Sequence, residues 1–317
     1  MQTFLLILPD FLVVVLGAAL ARGLGWGREF WSKAEKLVFY VLFPPLLFTS
    51  ISNSKLLLGE STQFLAVGIG AMMTGVLAAW SIRLFFRKTD DVTHASIFQC
   101  GFRFNTYIGF SICQRVFDES GFALLALLIA FWVPISNAIA VAAIARAVAR
   151  RDGAKAGKGA GGFAAAKAVA KNPLIIATVL GLVFNILGWK LPAAAGAFLE
   201  HLGDASLAVG LLCVGAGMQF TGIKHELPLL GACVVERMLV LPAIAFAAGF
   251  VFDLEPTAHA VLLLFAALPT SQTCYVMTTS MGGNGPMVAN LTSLQTLAAM
   301  ATLTLWVAVM LRLVGGA

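Results

Sequence analysis

Phe102-Arg103-Phe104-Asn105-Thr106-Tyr107-Ile108-Gly109 stands in the middle of an otherwise apolar segment, His94 to Phe117. Its reading decides the fold. A segment of this length is long enough to cross a bilayer as a helix. Asn105 and Thr106, however, are poor helix-interior residues whose side chains bond freed backbone groups, and Gly109 adds flexibility. The stretch therefore predicts a discontinuous span. A second segment, Thr257 to Met281, carries Ala267-Leu268-Pro269-Thr270-Ser271-Gln272-Thr273 at the matching depth. Pro269 removes an amide donor and clashes with the carbonyl of Phe265, so this helix too is expected to kink or break. At an offset of 164 residues, Asn105 to Tyr107 face Pro269 to Ser271.

The rest of the chain fits a membrane frame around these two breaks. Hydrophobic residues make up 60% of the sequence and charged residues 11%. That is too little charge to cover a globular surface, so the solvent of this chain is largely lipid. Ten candidate spans run Thr3 to Ala21, Lys36 to Ser52, Ser61 to Phe86, His94 to Phe117 and Gly121 to Val148, then Asn172 to Trp189, Ala205 to Phe220, Leu227 to Phe252, Thr257 to Met281 and Met287 to Leu313. The expected fold is an all-α membrane protein: residues 1–150 form a first five-span repeat, 151–171 a flexible cytoplasmic linker, and 172–317 a second repeat. Pro9 with Pro173, Gly17 with Gly181, Asp91 with Glu255, Thr93 with Thr257 and Thr106 with Thr270 recur at the same offset. Five spans per half is an odd number, so the second repeat enters the membrane inverted, a signature of secondary transporters.

Orientation follows from Lys and Arg. With the N-terminus outside the cytoplasm, 15 of them fall in cytoplasmic loops and 4 on the opposite side. This bias places both termini outside, in an inner (plasma) membrane. The first segment, interrupted by Pro9 and Asp10 and preceded by no basic residue, reads as a retained helix rather than a cleaved signal. Asp10 reads as a helix-end residue facing water, Leu191 to Leu202 as a short interfacial helix, and Pro44-Pro45 as a bend.

The chemistry is expected at the breaks. Broken backbone at this depth is tolerated where it is buried in protein or lines a wet cavity. Half-helix N-termini there offer free amides and partial positive charge, which favour an anionic group. Arg103 is an intramembrane charge in need of a partner. One reading is a bidentate grip on a substrate carboxylate; the other is a fixed ion pair with Glu236, beside Arg237 in the eighth span. Asn137, and the stripe of Asn290, Thr292, Ser293 and Gln295, are polar residues within spans that serve either binding or helix association. Asn105, Thr106, Tyr107, Pro269, Thr270, Ser271 and Gln272 complete the candidate set.

Other classes are disfavoured. The five cysteines, each in an apolar stretch without paired spacing, read as buried core residues. His94, His201, His225 and His259 lack metal-ligand spacing, so no metal and no cofactor is expected. No phosphate-binding loop, G-x-S-x-G or H-E-x-x-H pattern appears, which argues against an ATP-driven pump and against an enzyme. The charge of +6 sits in short loops, a membrane pattern rather than a nucleic-acid one.

The sequence also resembles the auxin efflux carrier family, bacterial members included. The residues that carry the resemblance are Arg103 to Gly109, Val133-Pro134 with Asn137, Lys171-Asn172-Pro173-Leu174, Gly215 to Met218, Leu268-Pro269-Thr270, Gly282-Gly283 and Gln295-Thr296. The resemblance implies a fold like that of bile acid/sodium symporters and sodium–proton antiporters. Spans 1, 2, 6 and 7 would form a scaffold, spans 3–5 and 8–10 a transport domain, and the broken fourth and ninth spans would cross. It also implies a homodimer through the scaffold. The activity implied is alternating-access transport of a small organic anion, such as a dicarboxylate or an auxin-like acid. Transport of a neutral or amphipathic solute, or a non-transporting membrane sensor, are the alternatives. The linker is far shorter than the loop of the long plant exporters, and auxin itself is not carried over. No acidic pair points to a sodium site, so the coupling ion stays open.

Overall fold

The computed structural model describes residues 2–53, 58–153, 173–220 and 226–315. Among them all regular structure is helical. The helices are α1 (Gln2–Gly23), α2 (Arg28–Leu37), α3 (Phe43–Asn53), α4 (Leu58–Phe85), α5 (Asp91–Phe98), α6 (Thr106–Val116) and α7 (Glu119–Arg151). They continue as α8 (Pro173–Leu187), α9 (Ala193–Ala216), α10 (Leu227–Val235), α11 (Leu241–Val251), α12 (Pro256–Ala267), α13 (Thr273–Ser280) and α14 (Gly285–Gly315). The linker expected at 151–171 lies outside the described residues from position 154 onward, as does Lys224.

Among the described residues seven stretches are long and apolar enough to cross a membrane: Phe4–Gly23, Arg28–Asn53, Ser61–Phe85, Glu119–Arg151, Ala193–Ala216, Leu227–Val251 and Gly285–Gly315. Three expected spans fall short of that length for identifiable reasons. The fourth and ninth are each cut into two short helices, and α8 has 15 residues. The distribution of side chains is that of a multi-pass membrane protein. Phe85 is 82% exposed and Val251 75%, while Gln99, Thr292 and Gln295 are fully buried. Apolar groups outside and polar groups inside suit a lipid solvent.

Two spans change helical pitch next to proline. Val38–Leu42 and Glu236–Val240 are π-helical turns, so the amide of Phe43 reaches back five residues to Val38 and that of Leu241 to Glu236. Pro44, Pro45 and Pro242 have no amide to give the carbonyl four residues earlier, and the wider turn relieves the ring clash. The Met238 carbonyl, which Pro242 cannot serve, accepts instead from Trp306 Nε1 at 2.9 Å. The bend expected at Pro44-Pro45 thus takes the form of a π-turn.

The chain forms two compact units. The first comprises Met1–Leu65, Thr106–Phe131 and Ala166–Gly217. Within it α1 packs on α9, and α3 on α8 and α9. Backbones approach so closely that a Cβ at Gly17 would meet the Leu212 carbonyl, and one at Gly215 the Val14 carbonyl. A Cβ at Gly181 would sit 3.1 Å from the Phe48 carbonyl. Small residues let membrane helices pack in this way. Asn185 Nδ2 donates to the Ile51 carbonyl at 3.0 Å, fastening α8 to α3.

Two sequence expectations are corrected here. Asp10 does not face water: it is 3% exposed and accepts from Ser111 Oγ at 2.6 Å and Arg115 Nη2 at 3.0 Å. A carboxylate immediately after Pro9 is tolerated because α6 brings it both a hydroxyl and a cation. The separate interfacial helix at Leu191 to Leu202 is also absent. Ala193–Ala216 is one continuous helix with Pro192 at its cap, since nothing inside it breaks the hydrogen-bond ladder.

The second unit comprises Ala66–Asn105, Trp132–Ala165 and Met218–Ala317. α14 runs through it against α12 and α13, and α12 packs on α11. The loop from α13 to α14 turns on Gly282, whose φ of 74° is left-handed, and it is tied down where Asn284 Nδ2 donates to Thr93 Oγ1 at 2.8 Å. The break residues Arg103, Asn105 and Pro269 to Gln272 all belong to this unit.

Candidate functional site

Both interruptions arise where sequence chemistry stops the helical ladder. In the fourth span α5 passes into a 3-10 turn, Gln99–Gly101, and Phe102 leaves helical space at φ −135°. Helix resumes at Thr106. The break is thus Phe102 to Asn105, slightly upstream of the Asn105 to Tyr107 expected, because Thr106 and Tyr107 already form the first turn of α6. In the ninth span α12 ends at Ala267, and Leu268 adopts φ −66°, ψ 140°. That extended shape is what a following proline imposes. α13 begins at Thr273, whose amide donates to Ser271 Oγ at 3.3 Å.

Every break leaves amides and carbonyls that must be satisfied inside lipid. Here they find one another and a few long side chains. The Asn105 amide donates to the Pro269 carbonyl at 2.7 Å, joining the two interruptions directly. Gln295, on α14, bridges them: its Oε1 accepts from the Thr270 amide at 3.0 Å and its Nε2 donates to the Cys100 carbonyl at 3.4 Å. Trp132 Nε1 donates to the Phe102 carbonyl at 3.0 Å. Arg237 Nη1 donates to the Ala266 carbonyl at 2.9 Å, a cation at the carbonyl end of α12, where the helix dipole favours it. The Phe104 and Phe265 rings pack with centroids 4.4 Å apart.

Arg103 sits half-buried at the first break. Its Nη1 donates to Gln99 Oε1 at 2.9 Å and its Nη2 to Thr273 Oγ1 at 3.1 Å, with Met277 Sδ 3.6 Å away. These acceptors are neutral. Among the described residues Arg103 forms no ion pair, with Glu236 or with any other carboxylate. Gln99, which receives it, is itself fixed by Thr278 Oγ1 at 2.8 Å. The guanidinium is therefore oriented but not neutralised, beside the amide end of α13.

The predicted residues divide into two groups. Arg103, Asn105, Pro269, Thr270, Ser271, Gln272 and Gln295 gather at the breaks of the second unit. Gln272 Oε1 accepts from Thr292 Oγ1 at 3.3 Å, while its buried Nε2 has no partner among the described residues. Asn137 lies on α7 of the same unit with Oδ1 likewise unsatisfied. Tyr107 belongs to the first unit, where it lies against Gly210 and packs edge-on to Phe43 with centroids 5.5 Å apart. Gln99, Trp132, Arg237 and Thr273 escaped the sequence reading. Two of them carried a signal: a buried indole requires an acceptor, and an intramembrane arginine requires a structural reason.

Comparison with known proteins follows the same direction. The family described as membrane transport protein matches residues 163–307. The chain is similar to an uncharacterized transporter of Methanothermobacter thermautotrophicus, 23% identical over 96% of this chain and 95% of the relative. It is similar to a "Putative malonate transporter" of Rhizobium meliloti, 22% identical over 86% of this chain and 84% of that protein. It is also similar to the uncharacterized transporter YfdV of Escherichia coli, 21% identical over 85% of this chain and 86% of the relative. Two interrupted spans joined at their breaks stand beside transporter relatives along nearly the whole length: the chain is a multi-pass membrane protein similar to membrane transport proteins, the auxin efflux carrier family among them.

Proposed function

We propose that this membrane transporter carries a small organic anion, a carboxylate and most simply a dicarboxylate, by alternating access. The observation that carries the reading is Arg103: an oriented guanidinium with no carboxylate partner among the described residues, held at a helix break beside the first turn of α13. A carboxylate there would receive charge-assisted hydrogen bonds from the planar fork and the favourable end of the α13 dipole. The malonate named for one relative is a small dicarboxylate and supports this chemistry.

In this proposal ten spans form two inverted repeats. Contacts between residues 164 apart in register support it. Gly17 approaches Leu212, and its counterpart Gly181 approaches Phe48, the counterpart of Leu212. Asn105 bonds Pro269, its own counterpart, as a pair lying on a two-fold axis would. Spans 1, 2, 6 and 7 then serve as scaffold and dimer interface, and spans 3–5 and 8–10 move substrate between the two faces of an inner membrane whose outer side holds both termini.

The test is flux of malonate and of monocarboxylates into proteoliposomes. A hydrogen bond to a charged group is worth about 1.5–3 kcal/mol, so Arg103→Lys, which keeps charge and loses the fork, should raise KM about ten- to a hundredfold. Arg103→Ala should abolish carboxylate flux with the protein still folded. Carboxylate transport with unchanged KM in Arg103→Ala would remove this residue, and the anion reading with it.

A further inference from the structure

Two buried polar groups in the second unit take no part in the site above. Glu236, 6% exposed, lies in the π-turn of the eighth span, and both its carboxyl oxygens are without a hydrogen-bond partner among the described residues. His94, also 6% exposed, lies on α5, and its Nε2 has no partner either. Both line one small cavity of about 10 Å³, closed by Ala79, Ile82, Gly101 and Cys233. That volume holds a single water, and a buried water needs two to four polar neighbours. Nε2 and the two carboxyl oxygens supply three.

The chemistry of these atoms is complementary. The His94 ring bonds the Trp80 carbonyl, a pure acceptor, so in the neutral ring that nitrogen carries the hydrogen and Nε2 offers a lone pair. An ionised carboxylate sealed from water with no hydrogen bond is far more expensive than the neutral acid. The surroundings relieve it only in part, through the nearby charge of Arg237. Arg237, its neighbour in sequence, turns Nη1 to the Ala266 carbonyl and forms no ion pair with it among the described residues. The remaining titratable groups on elements packed against the π-turn are Cys233 on α10, Cys100 in the 3-10 turn, His259 on α12 and Arg312 on α14. His259 is committed to the Phe246 carbonyl at 2.9 Å.

His94 also lines a second cavity, of about 560 Å³, with Arg83, Asp91, Arg146 and Arg150 on its walls. Asp91 there pairs with Arg83 and lies 3.7 Å from Arg150. One imidazole thus stands between a wide charged cavity and the carboxyl of Glu236. The carboxyl in turn lies against the last residue of the 3-10 turn before the break: a Cβ on Gly101 would lie 2.7 Å from Glu236 Oε2. Gly101 immediately precedes Phe102, where the fourth span leaves helical space.

We propose that Glu236 is a proton-binding site, loaded from the wide cavity through His94 and one bridging water, and that it couples transport to protons. A proton taken up at Nε2 makes His94 an imidazolium. It passes through the water to a Glu236 oxygen, leaving a neutral ring and a neutral acid over Gly101. The proposal rests on the transport reading above, but its first test does not. Infrared spectra of the purified protein at neutral pH should contain the carbonyl stretch of a buried protonated carboxyl. Glu236→Gln should delete that band, and Glu236→Asp should shift it. In malonate-loaded proteoliposomes containing a pH-sensitive dye, proton movement should accompany malonate in the wild type. It should fall to the level of protein-free liposomes in Glu236→Gln and be slowed in His94→Gln. A spectrum unchanged by Glu236→Gln, or malonate flux without proton movement, overturns the proton site and leaves the carboxylate reading intact. The band in a protein that moves no carboxylate leaves the proton site standing and removes the carboxylate reading.

Discussion

The interruption at Phe102 to Asn105 and the one at Leu268 to Gln272 meet through the bond from the Asn105 amide to the Pro269 carbonyl, yet different chemistry closes them. The carbonyls capped by side chains, Phe102 and Ala266, are 164 residues apart, like Asn105 and Pro269. Trp132 Nε1 caps the first, a neutral donor on a rigid ring. Arg237 Nη1 caps the second, a fully buried cation whose Nε and Nη2 have no partner among the described residues. The difference teaches that a helix break in a membrane fixes where a donor must come but not what the donor is. It also divides the charge: the first break carries its own half-buried arginine, Arg103, while the second is capped by the fully buried Arg237.

The largest effect expected from breaking this comparison is at Arg237. Arg237→Met leaves the Ala266 carbonyl unpaired and removes a cation from the end of α12. A hydrogen bond to a charged group is worth about 1.5–3 kcal/mol, so a loss of about 2–3 kcal/mol in unfolding free energy in mixed micelles is expected. A neutral or stabilising result would mean that the burial of two unbonded guanidinium nitrogens cancels the capping, and the two breaks would then be energetically alike. Gln295→Leu should follow at about 2 kcal/mol, since the Thr270 amide loses its acceptor. Because Gln295 touches both breaks, its combination with Arg237→Met should depart from additivity by at least about 0.5 kcal/mol. Additive losses would show two independent breaks. Trp132→Phe keeps the ring and deletes the donor, for about 1 kcal/mol. A larger loss than at Arg237 would reverse the ranking of the two caps.

The same two breaks show how far a sequence can be read. Pro269 carries its effect locally, through a missing amide and a restricted Leu268, so the ninth-span break was legible in place. The fourth-span break has no proline, and its register depends on where Thr106 can restart a helix, which tertiary packing decides. Trp132 and Arg237 stand 30 and 29 residues from the carbonyls they cap. Their roles could not be read from spacing, although each residue was conspicuous for needing a partner. The same limit applies to Asp10: composition marks a carboxylate near a helix end, and only packing supplies Ser111 and Arg115. The pairing of Arg103 with Glu236 was one of two sequence readings, and the geometry gives Arg103 neutral acceptors instead.

The smallest expected effect compares the entrances to the two spans. Asp90 caps α5 by accepting from the Thr93 amide at 2.9 Å, and Glu255 caps α12 by accepting from the Ala258 amide at 3.0 Å. The acidic cap of the fourth span is thus Asp90 rather than its neighbour Asp91, which pairs with Arg83. Partial burial pushes the Asp90 carboxyl up, but the hydrogen bonds from Thr93 and Val92 outweigh it and hold it below the usual range. A carboxylate whose folded value is depressed stabilises the protein above its unfolded value, and the contribution disappears as pH falls through the folded one. Asp90→Ala should therefore lose about 1 kcal/mol at neutral pH and progressively less in acid. Asp90→Asn keeps a good cap that does not titrate, so its melting temperature should match the wild type at neutral pH and fall less on acidification. Glu255→Ala should lose less than Asp90→Ala, because the longer side chain gives up more rotamer freedom to make the same bond. Equal losses at the two caps, measured as melting temperatures in one detergent, would make the entrances equivalent and confine the asymmetry to the breaks themselves.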